Sequence, residues 1–341
     1  MLTLRRGTVV EAHPVGGGGW QRLAVEVAGE RREARADVGL VGAAEPGDEI
    51  VVNVQARDLG LGSGGFDVVH VNLTRGLEGR GTPEAHVMKL NYTSLQHAVR
   101  PVEGPQLAVP LARPVGVFGV HGQLAPLAWA VGRARPGTRL GYVQTFGGAL
   151  PGGMSEVVAE LRERGLLAAH VTAGPAHGGE REAVTTAGAI HFGLRDDGWD
   201  AAVCGPGPGI LGSGSALGHG GMAALDTAHT AIALGCPTLV VARMSSGDPR
   251  PRHRGISHHT ITVLELLLAP VTVVLPEDSD PELPDDYRHR VLRAPADLEG
   301  YRASELPART MGRRLDEDPD FFAAALAAGT ALAGMLDGRP A

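Results

Sequence analysis

The segment CGPGPGILGSGSALGHGG, residues 204–221, places eight glycines and two prolines directly after the apolar run WDAAVC. Glycine lets a backbone approach a ligand and turn amides toward it. A helix starting near Met222 would add the positive end of its dipole, so the segment reads as an anion cradle. Gly207, Gly209 and Gly212 also fit the spacing G-x-G-x-x-G between a strand and a helix. In that reading Arg243, Ser245 and Ser246, after the next strand, would meet the 2′-phosphate of an NADP-type cofactor. Two features oppose a dinucleotide site. Pro206 and Pro208 remove amides, and Gly214, Gly218, Gly220 and Gly221 delay the helix. Cradle, dinucleotide site and structural loop all remain open, whereas the absence of G-x-x-x-x-G-K-[ST] excludes a Walker-type NTPase.

A second segment, RMSSGDPRPRHRGISHH (residues 243–259), carries Arg243, Arg250, Arg252 and Arg254 beside three histidines and three serines. Guanidinium groups offer planar forks for phosphate or carboxylate, and imidazole titrates near working pH. The expected division of labour follows. Gly207, Gly209, Gly212, Gly214 and Gly220 supply amides. Arg243, Arg252 and Arg254, with Ser245 and Ser246, hold the anion, and His219, His258 or His259 serve as acid and base. Ser257 is placed to cap the next helix. A metal held by His219, His253, His258 and His259 is conceivable, but no H-E-x-x-H or H-x-H spacing fixes it, so metal and cofactor stay unassigned. Asp226 and His229, three apart on a helix, read as a buried structural pair. Glu156 and Glu180 read as ordinary acids of a helix's first turn. No G-x-S-x-G elbow supports a serine nucleophile.

These residues need elements to position them. Residues 1–75 alternate with the two-residue period of half-buried strands (RRGTVVEA, QRLAVEVAG, DEIVVNVQ, FDVVHVNL) and predict a small SH3- or OB-like β-barrel. After a connecting segment, 76–112, residues 113–276 alternate apolar strands with helical segments. The strands are VGVFGVH, RLGYVQT, LLAAHVT, DAAVC, PTLVVAR and VTVVLP. This is the pattern of a doubly wound, Rossmann-like parallel sheet covered on both faces. Long glycine-rich loops follow the strands and short returns precede them, so His121, His177, His219, His253, His258 and His259 fall at the carboxyl edge, where such sheets bind ligands. Residues 277–341 read as an appendage packed on this domain, ending in a helix capped by Asp318 with Pro319 in its first turn.

A net charge of −7 with 20% charged residues provides no basic field for nucleic acid or anionic lipid. Two cysteines, Cys204 and Cys236, form no C-x-x-C pair and suit a reducing cytoplasm. The first residues lack a signal-peptide core, and no stretch is clean enough to cross a membrane. The expected partner is a small anionic ligand, phosphorylated or carboxylated, with a homo-oligomer left open. The expected function is an enzyme acting on that ligand. The alternatives are a non-catalytic binding or assembly protein and an NADP-type oxidoreductase.

With HVMKLNYTSLQHAVRPVEGP (residues 86–105), GYVQTFGGALPGG, the two segments above and MGRRLDEDPDFF, the chain resembles a bacterial family designated a domain of unknown function, DUF3866. The resemblance covers nearly the full length. It implies that these loops and RTMGR are the family's recurring blocks, and it carries no activity with it.

Overall fold

The computed structural model describes residues 1–61, 65–79, 81–149, 151–281, 283 and 288–337. Parts of three expected loops, GLGSGG, FGGALPGG and PEDSDPELPDDY, lie outside the described residues. The chain divides into two compact units, Met1–Arg100 with Pro151–Glu156, and Pro101–Leu150 with Val157–Ala341.

The first unit contains a closed five-stranded barrel of β1 (Leu4–Ala12), β2 (Trp20–Val27), β3 (Glu30–Asp37), β4 (Glu49–Asn53) and β5 (Asp67–Asn72) in the order β1-β2-β3-β5-β4. Single helical turns α1 (Val38–Val41) and α2 (Gln55–Asp58) join the strands, and β6 (Val87–Lys89) pairs with β7 (His97–Val99) as a hairpin. Period-two alternation places Val9, Leu23, Val25, Ile50, Val52 and Val69 inside. Strand β3, ERREARAD, is absent from the four strands read from the sequence. It buries only Ala34 and Ala36 and turns its charges outward, so its apolar signal is too weak to see.

The second unit is built on an eight-stranded sheet. Its strands are β8 (Val115–Val117), β9 (Leu140–Thr145), β10 (Ala169–Ala173), β11 (Arg181–Ala183), β12 (Ala201–Pro206), β13 (Thr238–Val241), β16 (Thr272–Pro276) and β17 (Arg290–Ala294). Their order is β11-β10-β9-β12-β8-β13-β16-β17, and every neighbouring pair is parallel. The short ribbons β14 (Met244–Ser245) with β15 (Gly255–Ile256) and β18 (Arg309–Thr310) with β19 (Arg313–Arg314) lie outside it. Because strand side chains alternate, Val203, Leu239 and Val274 enter one core with α3 (Leu124–Ala134), α4 (Glu156–Glu163), α8 (Leu298–Ala303) and α9 (Pro319–Met335). Ala202, Cys204, Val240 and Val273 enter the other, with α5 (Thr186–His191), α6 (Ala223–Ala233) and α7 (His258–Leu266). Helix α9 is apolar nearly all round because it is buried nearly all round. A Cβ on its Gly329 would collide with the Leu127 carbonyl of α3, so glycine allows the two helices to close together.

Two readings need correction. The stretch beginning at Glu180 opens as edge strand β11, not as a helix, so Glu180 and Glu182 are not first-turn acids; Glu182 instead accepts from Thr172 Oγ1 (2.7 Å) and the Gly178 amide (2.7 Å). Asp226 is exposed, and His229 accepts from the Leu268 amide at 3.1 Å, so the two form no buried pair. Cys204 and Cys236 are buried free thiols, and burial holds the Cys236 thiol up at about 11. Among the described residues no helix is long and apolar enough to cross a membrane.

Candidate functional site

The sheet reverses direction around β8. From β8 the chain crosses through α3 to β9 on one side, whereas β12 and β13 send α6 and α7 toward the opposite edge. Such a reversal opens a crevice at the carboxyl ends of the strands, because the loops diverge there instead of packing on one another. Gly119 and Val120 after β8, Val241 at the end of β13, Arg243 after it, and His259 line a small void of about 10 Å³ in this crevice. Beside it lies a larger concavity of about 410 Å³, between Gly147, Gly148 and Ala149 after β9 and Leu211, Gly218, His219 and Gly220 after β12.

Four imidazoles meet at this place. His219 comes from the loop after β12, His253 from the loop after β13, and His258 and His259 from the first turn of α7. That helix is capped by Ser257, whose hydroxyl accepts from the His259 amide at 3.3 Å. The His219 and His259 rings stack with centroids 3.5 Å apart at 8°. His258 lies edge-on to His259 at 4.4 Å, and His253 stands 4.9 Å from both. His219 donates from Nε2 to the Ala216 carbonyl at 2.9 Å, which leaves the lone pair of a neutral ring on Nδ1. That Nδ1 and the Nε2 of His258 are buried and have no hydrogen-bond partner among the described residues. His253 Nδ1 and the Ser257 hydroxyl are 2.7 Å apart. Burial first, then nearby guanidinium groups, push all four rings below the ordinary histidine range, His253 to about 4. The cluster is therefore uncharged at neutral pH.

Arg243 is buried beneath it. Its NH1 donates to His259 Nδ1 at 2.8 Å, and its NH2 lies 3.8 Å from Asp248. Burial, with repulsion from Arg250 and Arg313, lowers its pKa to about 10, so it keeps its charge. Arg252 and Arg254 are exposed. Arg252 acts on His258 electrostatically, and Arg254 donates to the Asp248 carbonyl at 3.2 Å. Ser245 and Ser246 face elsewhere. The Asp318 carboxylate, at the head of α9, accepts from Ser245 Oγ (2.8 Å), the Ser246 amide (2.9 Å), the Gly247 amide (3.1 Å) and Arg313 Nε (2.9 Å). Asp318 thus stands at the helix's N-cap position without capping it, and a 2′-phosphate beside Ser245 would meet a buried carboxylate. Asp248, Arg313 and the crossing role of Asp318 were not read from the sequence. The only hint was the charge density of MGRRLDEDPDFF.

Several glycines of the loop are demanded by close packing. A Cβ on Gly207 would strike Gln144, one on Gly148 the Gly207 carbonyl, and one on Gly220 the Gly147 carbonyl, so the two loops cross backbone on backbone. Gly209 takes a φ of +79°, and its carbonyl accepts from the Ala149 amide at 3.2 Å. Residues 211–218 form an exposed lobe whose amides turn inward. Ser213 donates to the Gly218 carbonyl, Gly220 to the Leu211 carbonyl, and Ser215, Leu217 and Gly218 to serine hydroxyls. Gly212 and Gly214 have open space around an added Cβ and no left-handed φ, so the protein's own backbone and packing do not demand glycine there. Helix α6 begins only at Ala223, far beyond Gly212, and the dinucleotide fingerprint loses its geometry.

The structure therefore brings together His219, His258, His259 and Arg243, with Gly220 at the rim, pairs the backbone of Gly212 with that of His219, and turns Ser245 and Ser246 toward Asp318 instead. Compared with known families, residues 34–329 match a family model described as a protein of unknown function (DUF3866). No curated protein and no solved structure is significantly similar to the chain.

Proposed function

The chain belongs to the DUF3866 family, and for it we propose an enzyme that binds a small anionic metabolite at the carboxyl edge of the sheet, in the concavity beside the histidine cluster. One observation carries this reading. Imidazoles from three separate chain segments converge at the direction reversal of a doubly wound sheet, and two of their buried nitrogens have no protein partner. Buried polar atoms are nearly always paired, so unpaired ones call for a partner such as a water, an ion or a ligand. Arg243 and Arg252, which act on His258, support an anionic ligand, whereas Arg250 is spent on Asp248 at 2.8 Å. His219 borders the concavity and touches the stack, so a ligand there reaches a neutral ring able to take or give a proton.

The test is thermal. A panel of phosphate and carboxylate metabolites is screened with and without added divalent metal ions, and a binder at about 100 times its dissociation constant stabilises the fold by roughly 2.7 kcal/mol. Ala149→Leu, which narrows the concavity, and Arg252→Ala, which removes an exposed charge, are both expected to reduce the ligand-induced rise in Tm against their own baselines. A panel that shifts nothing, or a full rise in both variants, overturns the proposal.

A further inference from the structure

We infer that His219, His258 and His259 hold a divalent transition-metal ion, to which the anion of the proposed function would bind. The inference rests on that reading for the site's location and goes beyond it in naming the ion. One ring nitrogen from each of the three residues lies within 4.8 Å of the others. Nitrogens around a tetrahedral ion at about 2.0–2.1 Å stand about 3.4 Å apart, so side-chain rotation of about an ångström closes the set.

The hydrogen bonding fits ligation. His219 gives its Nε2 proton to a backbone carbonyl, the arrangement that fixes the tautomer and orientation of a metal-bound imidazole, and its Nδ1 lone pair is unspent. Gly221 leaves the approach open, since a Cβ there would sit 3.0 Å from that Nδ1. The unpartnered Nε2 of His258 is the second ligand. His259 is the costly one. Its Nδ1 accepts from Arg243, so ligation exchanges the guanidinium for the ion and frees Arg243.

That exchange links ion and anion. The unspent lone pairs of His219 and His258 repel an anion that arrives alone, and Arg243 and Arg252 repel a bare dication. Bound together they satisfy both sets. The ion takes the lone pairs, the anion takes the ion's open position, and the released Arg243 faces the anion. Three uncharged imidazoles with a fourth position open suit zinc best among common ions.

The experiment titrates the full-length protein with zinc chloride by calorimetry, with and without methylphosphonate as the anion. Wild type is expected to bind one zinc, at least tenfold more weakly in His219→Ala and in His258→Ala. Arg243→Gln, which removes the competing donor and its charge, is expected to bind zinc severalfold more tightly and to lose the methylphosphonate effect. X-ray absorption of zinc-loaded wild type, which needs no variant to fold, should count three imidazole nitrogens. No stoichiometric zinc, retention of zinc in both histidine variants, or a shell without imidazole overturns the inference. Methylphosphonate that binds equally well in chelator overturns the ion but keeps the proposed function. Zinc held by the histidines with no effect of any anion keeps the ion and overturns the anionic ligand.

Discussion

The barrel and the sheet edge each bury a polar cluster, and the two are completed differently. In the barrel Asp48 accepts from the Glu45 amide (2.9 Å), Asn72 Nδ2 (2.9 Å) and Arg75 Nε (2.8 Å), and Arg75 reaches Glu45 as well. Both Asp48 oxygens are spent on these neighbours. At the sheet edge two ring nitrogens are buried and unspent, and the nearest charge is an arginine donating to the third ring. A saturated cluster can only hold its own chain together, whereas an unsaturated one carries a standing desolvation cost that a ligand would remove. The contrast also divides the edge itself. Asp318, which the same loop contacts through Ser245, Ser246 and Gly247, is as saturated as Asp48 and reads as structure.

The largest effect is expected at Asp318. Asp318→Ala strands a buried hydroxyl, two amides and Arg313, so it should cost about 3 to 5 kcal/mol and lower Tm by roughly 10 °C in a thermal melt. A loss under about 1 kcal/mol would show that the network is dispensable and blur the line between holding and binding clusters.

Asp48→Ala should cost about 2 kcal/mol, less because Arg75 is partly exposed and water can rescue it. The measurement is amide exchange at Ile50 and Val52 of β4. Burial pushes the Asp48 carboxyl up, but hydrogen bonds from Arg75, the Glu45 amide and Asn72 outweigh it and hold the group below the usual carboxylate range. A lowered folded pKa means stabilisation present above the unfolded value of about 4 and lost as pH falls through the folded value. Protection at Ile50 and Val52 should therefore weaken below about pH 4, and Asp48→Asn should flatten that slope.

In metal-free protein His258→Ala should change stability by less than about 1 kcal/mol by calorimetry, because its Nε2 makes no bond to lose. A cost like that of Asp318 would make the histidines a structural cluster and erase the comparison. The smallest effect is expected at Gly214→Val, within about 0.5 kcal/mol, since the position is exposed, open and free of left-handed strain. A larger loss would mean that the exposed lobe has a constraint that its backbone does not display.

The amino-acid sequence by itself determined the architecture. Strand and helix periods are local, so an apolar strand followed by a helical segment implies a parallel sheet, and glycine-rich loops after strands mark its carboxyl edge. It hid β3 behind its charges and β11 behind its brevity, because three residues or two buried alanines carry too little apolar signal. It also marked His219, His258, His259 and Arg243 as residues able to do chemistry. What it could not determine was which of them meet. His219 and His259 are forty positions apart and obey no motif, and their stacking follows from β12 and β13 flanking β8 and opening their loops over one crevice. Nor could it separate Ser245, claimed by Asp318 from the head of α9, from Arg243 two residues earlier, which faces the rings. Side-chain partners are chosen by the packing of distant segments, and only the tertiary structure decides which buried atoms are left without one.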